Sequence, residues 1–415
     1  MSDKSITYCY GVTGFVELHD KIVKKHSEFN QLFWLKEHAI LFYLWPFKTD
    51  NIIKYQSSYI RLKYTPPKNI IKKQYYECIL PRYPVVLNNY KFYRDSEIIQ
   101  FLLDVSSALE FLHSKNIMHR DIKPQNIVLT DTGRAILIDF SHSHHMVIPL
   151  KQLNHSVVTY LYRAPEVYEY IDNGKILYNQ SVDIWSLGVI LSELITGKQF
   201  AFKFFPNFKD HHHLEILLSS VLQNPEVFIN KLKHFYINYR RAFALSDCYW
   251  NLIVKMLQFD PAKRITAAEL YKEVEQLAML YNIDFVKPIN GPIETQLIDL
   301  VIEPPKITDK SCIKELKSKC LEYLKSIILE FKLCSVAENY NHMLEYLIQQ
   351  GEITIDNYGI FVSAVTIIFE TIFYDNVTDI ENYTFLHNAQ VKTAICHIMV
   401  KYDHYLFGYN KKITF

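Results

Sequence analysis

The sequence predicts an α+β body of two lobes, a small β-rich one followed by a larger helical one, with an all-helical unit behind them. Three observations lead there. Over about the first 75 residues, short apolar runs alternate with turns around a single helical stretch, the pattern of half-buried strands. From residue 95 to about 283 apolar residues recur mostly at helical spacing, with short strand-like runs near 117–139. Pro288, Gly291, Pro292, Pro304 and Pro305 then gather within 286–310, which reads as a linker, and 311–405 returns to amphipathic helical patterning. A β-rich piece followed by an α-rich piece indicates segregated layers.

DSEIIQFLLDVSSALEFLH (95–113) is a long helix that Asp95 is placed to cap. Behind the linker, CIKELKSKCLEYLKSIILEF, SVAENYNHMLEYLIQQ, YGIFVSAVTIIFETIFYDN and NAQVKTAICHIMVKYDHYL each carry an apolar stripe. The most apolar stretch, Tyr358 to Tyr374, includes Glu370 and several hydroxyls, so it reads as a buried helix rather than a membrane span.

Composition narrows the function classes. Forty-five basic and 44 acidic residues leave a formal net charge of +1, which argues against bulk attraction to nucleic acid or an anionic membrane. The seven cysteines (Cys9, Cys78, Cys248, Cys312, Cys320, Cys334, Cys396) are odd in number and form no C-x-x-C pair. This is the usage of a reduced, intracellular chain, neither zinc-bound nor disulfide-stapled. MSDKSITYCYGV lacks the apolar run of a signal peptide.

The chemistry is concentrated in H-R-D-I-K-P-Q-N (119–126) and D-F-S (139–141). Transfer of a phosphoryl group needs little covalent help but demands charge neutralisation and in-line positioning. Asp121 suits a proton acceptor, Lys123 a phosphate contact, and Asn126 with Asp139 a pair of oxygen ligands for Mg²⁺, a hard cation. With these residues the chain resembles a eukaryotic-type protein kinase over residues 5–283, and the resemblance implies a bilobal fold with an N-lobe at about 5–82 and a C-lobe at about 83–283. VVTYLYRAPE (157–166) resembles the end of an activation segment. There the resemblance implies that Thr159 bridges the catalytic Asp and Lys and that Glu166 pairs with Arg264 of DPAKRITAAEL. Asp183 in DIWSLGV resembles a buried anchor that holds the catalytic loop through its amides.

The N-lobe resemblance is looser. Y-G-V-T-G-F-V (10–16) matches the second half of a glycine-rich loop, with Cys9 in the place of the first glycine. The resemblance puts Tyr8, Gly11, Gly14 and Val16 around ATP and makes Lys24 the phosphate-clamping lysine, Lys25 being the rival on the opposite strand face. Glu37 is the implied partner of that lysine. Leu80, Pro81 and Tyr83 of I-L-P-R-Y fall at the hinge that meets adenine.

Y-R-A-P-E after V-V-T, and LLSSVLQNPEVF (217–228), resemble the group of cyclin-dependent and mitogen-activated kinases. The resemblance implies a protein substrate, Ser/Thr acceptors, and an Arg163 that favours proline after the acceptor. Asn154 occupies the position of the activating phosphothreonine, which leaves Arg120 without that phosphate; Ser156 is a substitute. The helical unit at 311–405 reads as a docking or regulatory bundle, and it also loosely resembles two helices of a cyclin repeat. His142, His144 and His145 read as a solvated loop segment, as do His211, His212 and His213. Two other readings compete with an active protein kinase: a pseudokinase scaffold, because D-F-S replaces D-F-G, and a small-molecule kinase sharing the lobes.

Overall fold

The structure is a computed structural model that describes residues 7–10, 14–28, 33–44, 47–54, 57–63, 73–145, 159–167, 178–292, 310–331, 337–354, 356–372 and a few helical residues within 390–398. In chain order it begins with strands β1 (Thr7–Tyr10), β2 (Gly14–Leu18) and β3 (Ile22–Glu28). The three residues between β2 and β3 close a tight turn in which the His19 amide donates to the Ile22 carbonyl at 3.0 Å. Helix α1 (Phe33–Leu44), strand β4 (Phe47–Thr49) and strands β5 (Ser57–Lys63) and β6 (Lys73–Pro81) follow. The large sheet runs β1-β2-β3-β6-β5.

After the short β7 (Val85–Val86) comes α2 (Asp95–Ser114), then β8 (Ile117–Met118), β9 (Ile127–Leu129), β10 (Ala135–Leu137) and β11 (His144–His145). Helices α3 (Ser181–Thr196), α4 (Phe200–Phe204), α5 (His211–Leu222), α6 (Pro225–Tyr239), α7 (Ser246–Met256) and α8 (Ala267–Leu280) build the rest of this portion, closed by β12 (Asn290–Pro292). Last come α9 (Lys310–Phe331), α10 (Ala337–Gln349) and α11 (Tyr358–Ile372).

The chain divides into two units. One takes residues 1–46, 55–80 and 293–415; the other takes 47–54 and 81–292. The C-terminal helices therefore group with the sheet and α1, where the sequence reading expected a separate unit over 311–405. The sequence of α1, FWLKEHAILFYL, explains the difference. Its polar residues are confined to Lys36, Glu37 and His38, all three are buried, and so are Ile40, Leu41 and Leu44. A helix apolar around its circumference needs cover on more than one side, and α11 packs against it. Among themselves α9, α10 and α11 pack through Tyr323 on Tyr358 and Tyr340 on Phe369, with Val362, Val365, Ile367 and Ile368 fully buried. Burying four such side chains contributes on the order of 6–12 kcal/mol before chain entropy is subtracted.

The second unit is organised on α2, where Ile98, Ile99 and every residue from Phe101 to Leu109 are buried. Its N-cap is Arg94, not Asp95: Glu97 reaches back to accept from the Arg94 amide at 3.0 Å. Asp95 is engaged elsewhere, accepting from the amides of Ala244 and Leu245 and from the Tyr249 hydroxyl. Buried Asp104 holds β10 to α2 by accepting from Arg134 and from the Ala135 amide. Helix α3 meets α7 at Gly188, where a Cβ would lie 2.9 Å from Met256 Cβ. The expected linker is also shorter at its start than predicted. Asn290–Pro292 pair with β4, and Val286 is hydrogen-bonded to Gln100, so 286–292 are part of the second unit. Residues 293–309 lie outside the described residues.

Candidate active site

In the second unit, β9 and β10 form an antiparallel hairpin (Ile127↔Leu137) that brings together the two ends carrying chemistry. Asn126 stands just before β9 and Asp139 just after β10, and the Ile138 amide donates to the Asn126 carbonyl at 3.0 Å. The segment leading into β9 is held by Asp183 at the start of α3. Its carboxylate accepts from the His119 amide (2.9 Å), the Arg120 amide (2.8 Å) and His113 Nε2 (3.0 Å). Burial alone would raise the Asp183 pKa, but the hydrogen bond and charge of His113, with His119, hold it below its ordinary value.

Asp121 is 2% exposed and its carboxylate is surrounded by donors. Thr159 Oγ1 donates to Oδ1 at 2.6 Å, Asn126 Nδ2 to Oδ2 at 2.8 Å, and Lys123 Nζ lies 2.7 Å from Oδ2. Lys123 also donates to Thr159 Oγ1 at 3.1 Å, closing a four-residue network. The bridge implied for Thr159 is thus present as geometry. Glu166 and Arg264 form a bidentate pair at 2.7 and 3.0 Å.

Asp139 has left-handed backbone (φ 63°), as does Arg120 (φ 66°), a costly conformation for residues with a Cβ. The serine of D-F-S takes part here: Ser141 Oγ donates to Asp139 Oδ1 at 2.7 Å, a bond that glycine cannot make. Asn126 and Asp139 offer oxygen donors at the end of one hairpin, which fits a hard divalent cation such as Mg²⁺. Arg120 is buried and donates to the His142 carbonyl (2.7 Å) and the Tyr178 hydroxyl (3.3 Å). Asn154 and Ser156 lie outside the described residues.

In the first unit the lysine assignment changes. Glu37, 2% exposed on α1, pairs with Lys25, whose Nζ lies 2.8 and 3.0 Å from its two oxygens. Register is the reason. Lys25 lies opposite Val16, so these two share one face of the sheet, whereas Lys24 lies opposite Glu17 on the other face. The expectation of Lys24 as Glu37's partner is thereby corrected to Lys25. Gly14 opens β2 opposite Ser27, and Cys9 pairs with Val16. Tyr8 is exposed beside Phe15, and Gly11 lies outside the described residues. Leu80 is buried as the last residue of the first unit's sheet segment; Pro81 and Tyr83 follow, half-buried, in the second unit, with the Tyr83 phenol pushed up by burial.

The histidine clusters part company. His144 is buried in β11, paired with Met118, so that segment is not the solvated loop expected. His211 and His212 are exposed in the first turn of α5, where His211 Nδ1 meets the Tyr160 hydroxyl at 2.7 Å. Among the described residues no cluster of three His, Cys, Asp or Glu side chains is placed to hold a metal, and no helix is long and apolar enough to cross a membrane.

A loop carrying Asp, Lys and Asn, a following Asp at a hairpin end, and a separate Lys–Glu pair under a sheet together define a phosphotransferase of the protein kinase class. Comparison with known proteins agrees: the model of the protein kinase domain matches residues 21–274. The chain belongs to the protein kinase family, as a eukaryotic-type member related to the cyclin-dependent group. It is similar to human Cyclin-dependent kinase-like 2, with 30% identity over 191 residues that cover 42% of this chain and 37% of that relative's length.

Proposed function

We propose that this chain is an active protein serine/threonine kinase that moves the γ-phosphoryl group of ATP to a protein hydroxyl. The observation that carries this reading is the Asp121 carboxylate held by Thr159, Asn126 and Lys123. In the proposed step the acceptor oxygen forms its bond to phosphorus as the bond to the ADP oxygen breaks, and Asp121 takes the acceptor's proton. Lys123 steadies the phosphoryl oxygens. Asn126 and Asp139 would hold Mg²⁺, which when bound neutralises phosphate charge. Lys25, fixed by Glu37, is assigned to the nucleotide phosphates, with Gly14 and Val16 alongside and Leu80, Pro81 and Tyr83 toward adenine.

Ser/Thr acceptors follow from Lys123 within H-R-D-I-K-P-Q-N, and proline preference from Arg163, which is anchored to Glu215 at 2.6 Å. The C-terminal helices are proposed to hold α1, and with it Glu37, in place of a loop phosphate, because α11 packs on α1. The test is transfer from Mg·ATP to a mixed Ser/Thr peptide library. Full-length protein should phosphorylate it, while Asp121→Asn and Asp139→Asn should not, with both variants folded by circular dichroism; wild-type rates in Asp121→Asn would sink the assignment. A pseudokinase is the second reading, favoured by the Ser141 hydroxyl bond to Asp139. An ATP-induced rise in Tm without turnover, in both wild type and Ser141→Gly, would select it.

A further inference from the structure

The second unit holds a cavity of about 590 Å³ that the transfer chemistry does not use. Its position is tied to the transfer loop. Pro124, three residues from Asp121, is in its wall, and so is Glu193, which accepts from the hydroxyl of Tyr162, three residues after Thr159. Its charges are unusual. Lys91, Lys198 and Arg241 all line it, and among the described residues none of the three forms an ion pair with a carboxylate. The guanidinium of Arg241 is instead held by the carbonyl oxygens of Phe92 (2.9 Å) and Leu194.

Glu193, the one acid in the wall, does not balance them. Burial pushes its carboxyl up to about 8, and the hydrogen bonds from Tyr162 and the Phe200 amide offset only part of that. Three cations against one acid make the wall positive at neutral pH, and the raised carboxyl weakens the one counter-charge further. Cations that outnumber the acids around a cavity form a site for an anion, and a volume of this size admits a side chain rather than an ion alone.

We infer that this cavity binds an acidic or phosphorylated side chain of the peptide substrate, at a position removed from the acceptor hydroxyl. The inference rests on the proposed transfer reaction for its substrate but not for its binding measurement. The probes are fluorescent acceptor peptides carrying phosphoserine, glutamate, alanine or arginine, scanned along both sides of the acceptor. They are bound to the full chain at low salt by polarisation and assayed for turnover in parallel.

The phosphoserine peptide should bind about tenfold more tightly than its alanine counterpart, and added salt should erode the difference. Reversing the two exposed cations (Lys91→Glu with Lys198→Glu) should abolish the preference and leave turnover of the alanine peptide unchanged. Equal affinities, or tighter binding of the arginine peptide, would overturn the inference. So would displacement by inorganic phosphate at the same concentration as the phosphopeptide, which would mark a site for the free anion. Absence of turnover on every peptide, with phosphopeptide binding still lost on charge reversal, would refute the transfer reading and uphold the cavity's.

Discussion

The Glu166–Arg264 pair gives the sharpest quantitative test of how the second unit is held. The Arg264 side chain is fully buried and that of Glu166 is 9% exposed. Each of the two hydrogen bonds between them is charge-assisted and contributes about 1.5–3 kcal/mol. Removing one member of such a buried pair ordinarily costs about 3–5 kcal/mol, because it leaves an uncompensated charge. Here Arg264 keeps other acceptors, the carbonyl oxygens of Gln258 and Ser181, and lies over the Trp185 ring. Glu166→Gln, which retains one acceptor oxygen, should therefore cost about 2–3 kcal/mol, below the full penalty. Urea unfolding of wild type, Glu166→Gln, Arg264→Met and the double variant would measure it. The double variant should be less destabilised than the sum of the singles by about 2 kcal/mol. Additive losses, or a Glu166→Gln cost under about 0.5 kcal/mol, would refute the reasoning that this pair clasps the activation-segment end to the unit.

Three further outcomes are expected. Lys25→Met should weaken ATP binding by roughly tenfold or more in a titration while Lys24→Met leaves it near wild type, given the ion pair to Glu37; the reverse order would return the assignment to Lys24. Asp183→Ala strands the buried amides of His119 and Arg120 at about 1–3 kcal/mol each; because the folded-state pKa of Asp183 is depressed, its contribution is present above pH ~4 and lost as pH falls further, so the difference from wild type should shrink in acid denaturation. Glu193 behaves oppositely: with its folded pKa raised to about 8, it binds a proton more readily folded than unfolded, so stability declines as pH rises from about 4.5 to 8. Glu193→Gln should flatten that decline in Tm, and an unchanged slope would refute the assignment.

The residues of the second unit's site were readable in advance because they are set by local spacing. Asp121, Lys123 and Asn126 occupy one loop, and Asp139 follows one hairpin later, so a short string of letters carries nearly the whole geometry. Lys25 was not decided in this way. Choosing between adjacent lysines requires strand register, and a slip of one residue exchanges the two faces of the sheet. Asp95 has the chemistry of an N-cap, yet Arg94 holds that position because tertiary donors on Ala244, Leu245 and Tyr249 claim the aspartate. His144 resembled a solvent-facing residue until the pairing of β11 with β8 buried it. The packing of α11 on α1 had only one trace in the sequence, the apolar circumference of α1, which signals that cover exists without saying which segment provides it.

Both units are closed by segments made late in synthesis. Asp50 and Ile289, hydrogen-bonded at 3.0 Å, are 239 residues apart in sequence, and α1 and α11 are separated by more than 300 residues. At roughly 5–20 residues per second on the ribosome, the apolar flank of α1 waits on the order of 15–60 s for its cover. Throughout that interval FWLKEHAILFYL is a sticky segment on a nascent chain. The chain's yield in a cell should then respond to chaperone supply and to elongation rate as much as to the stability of the finished fold.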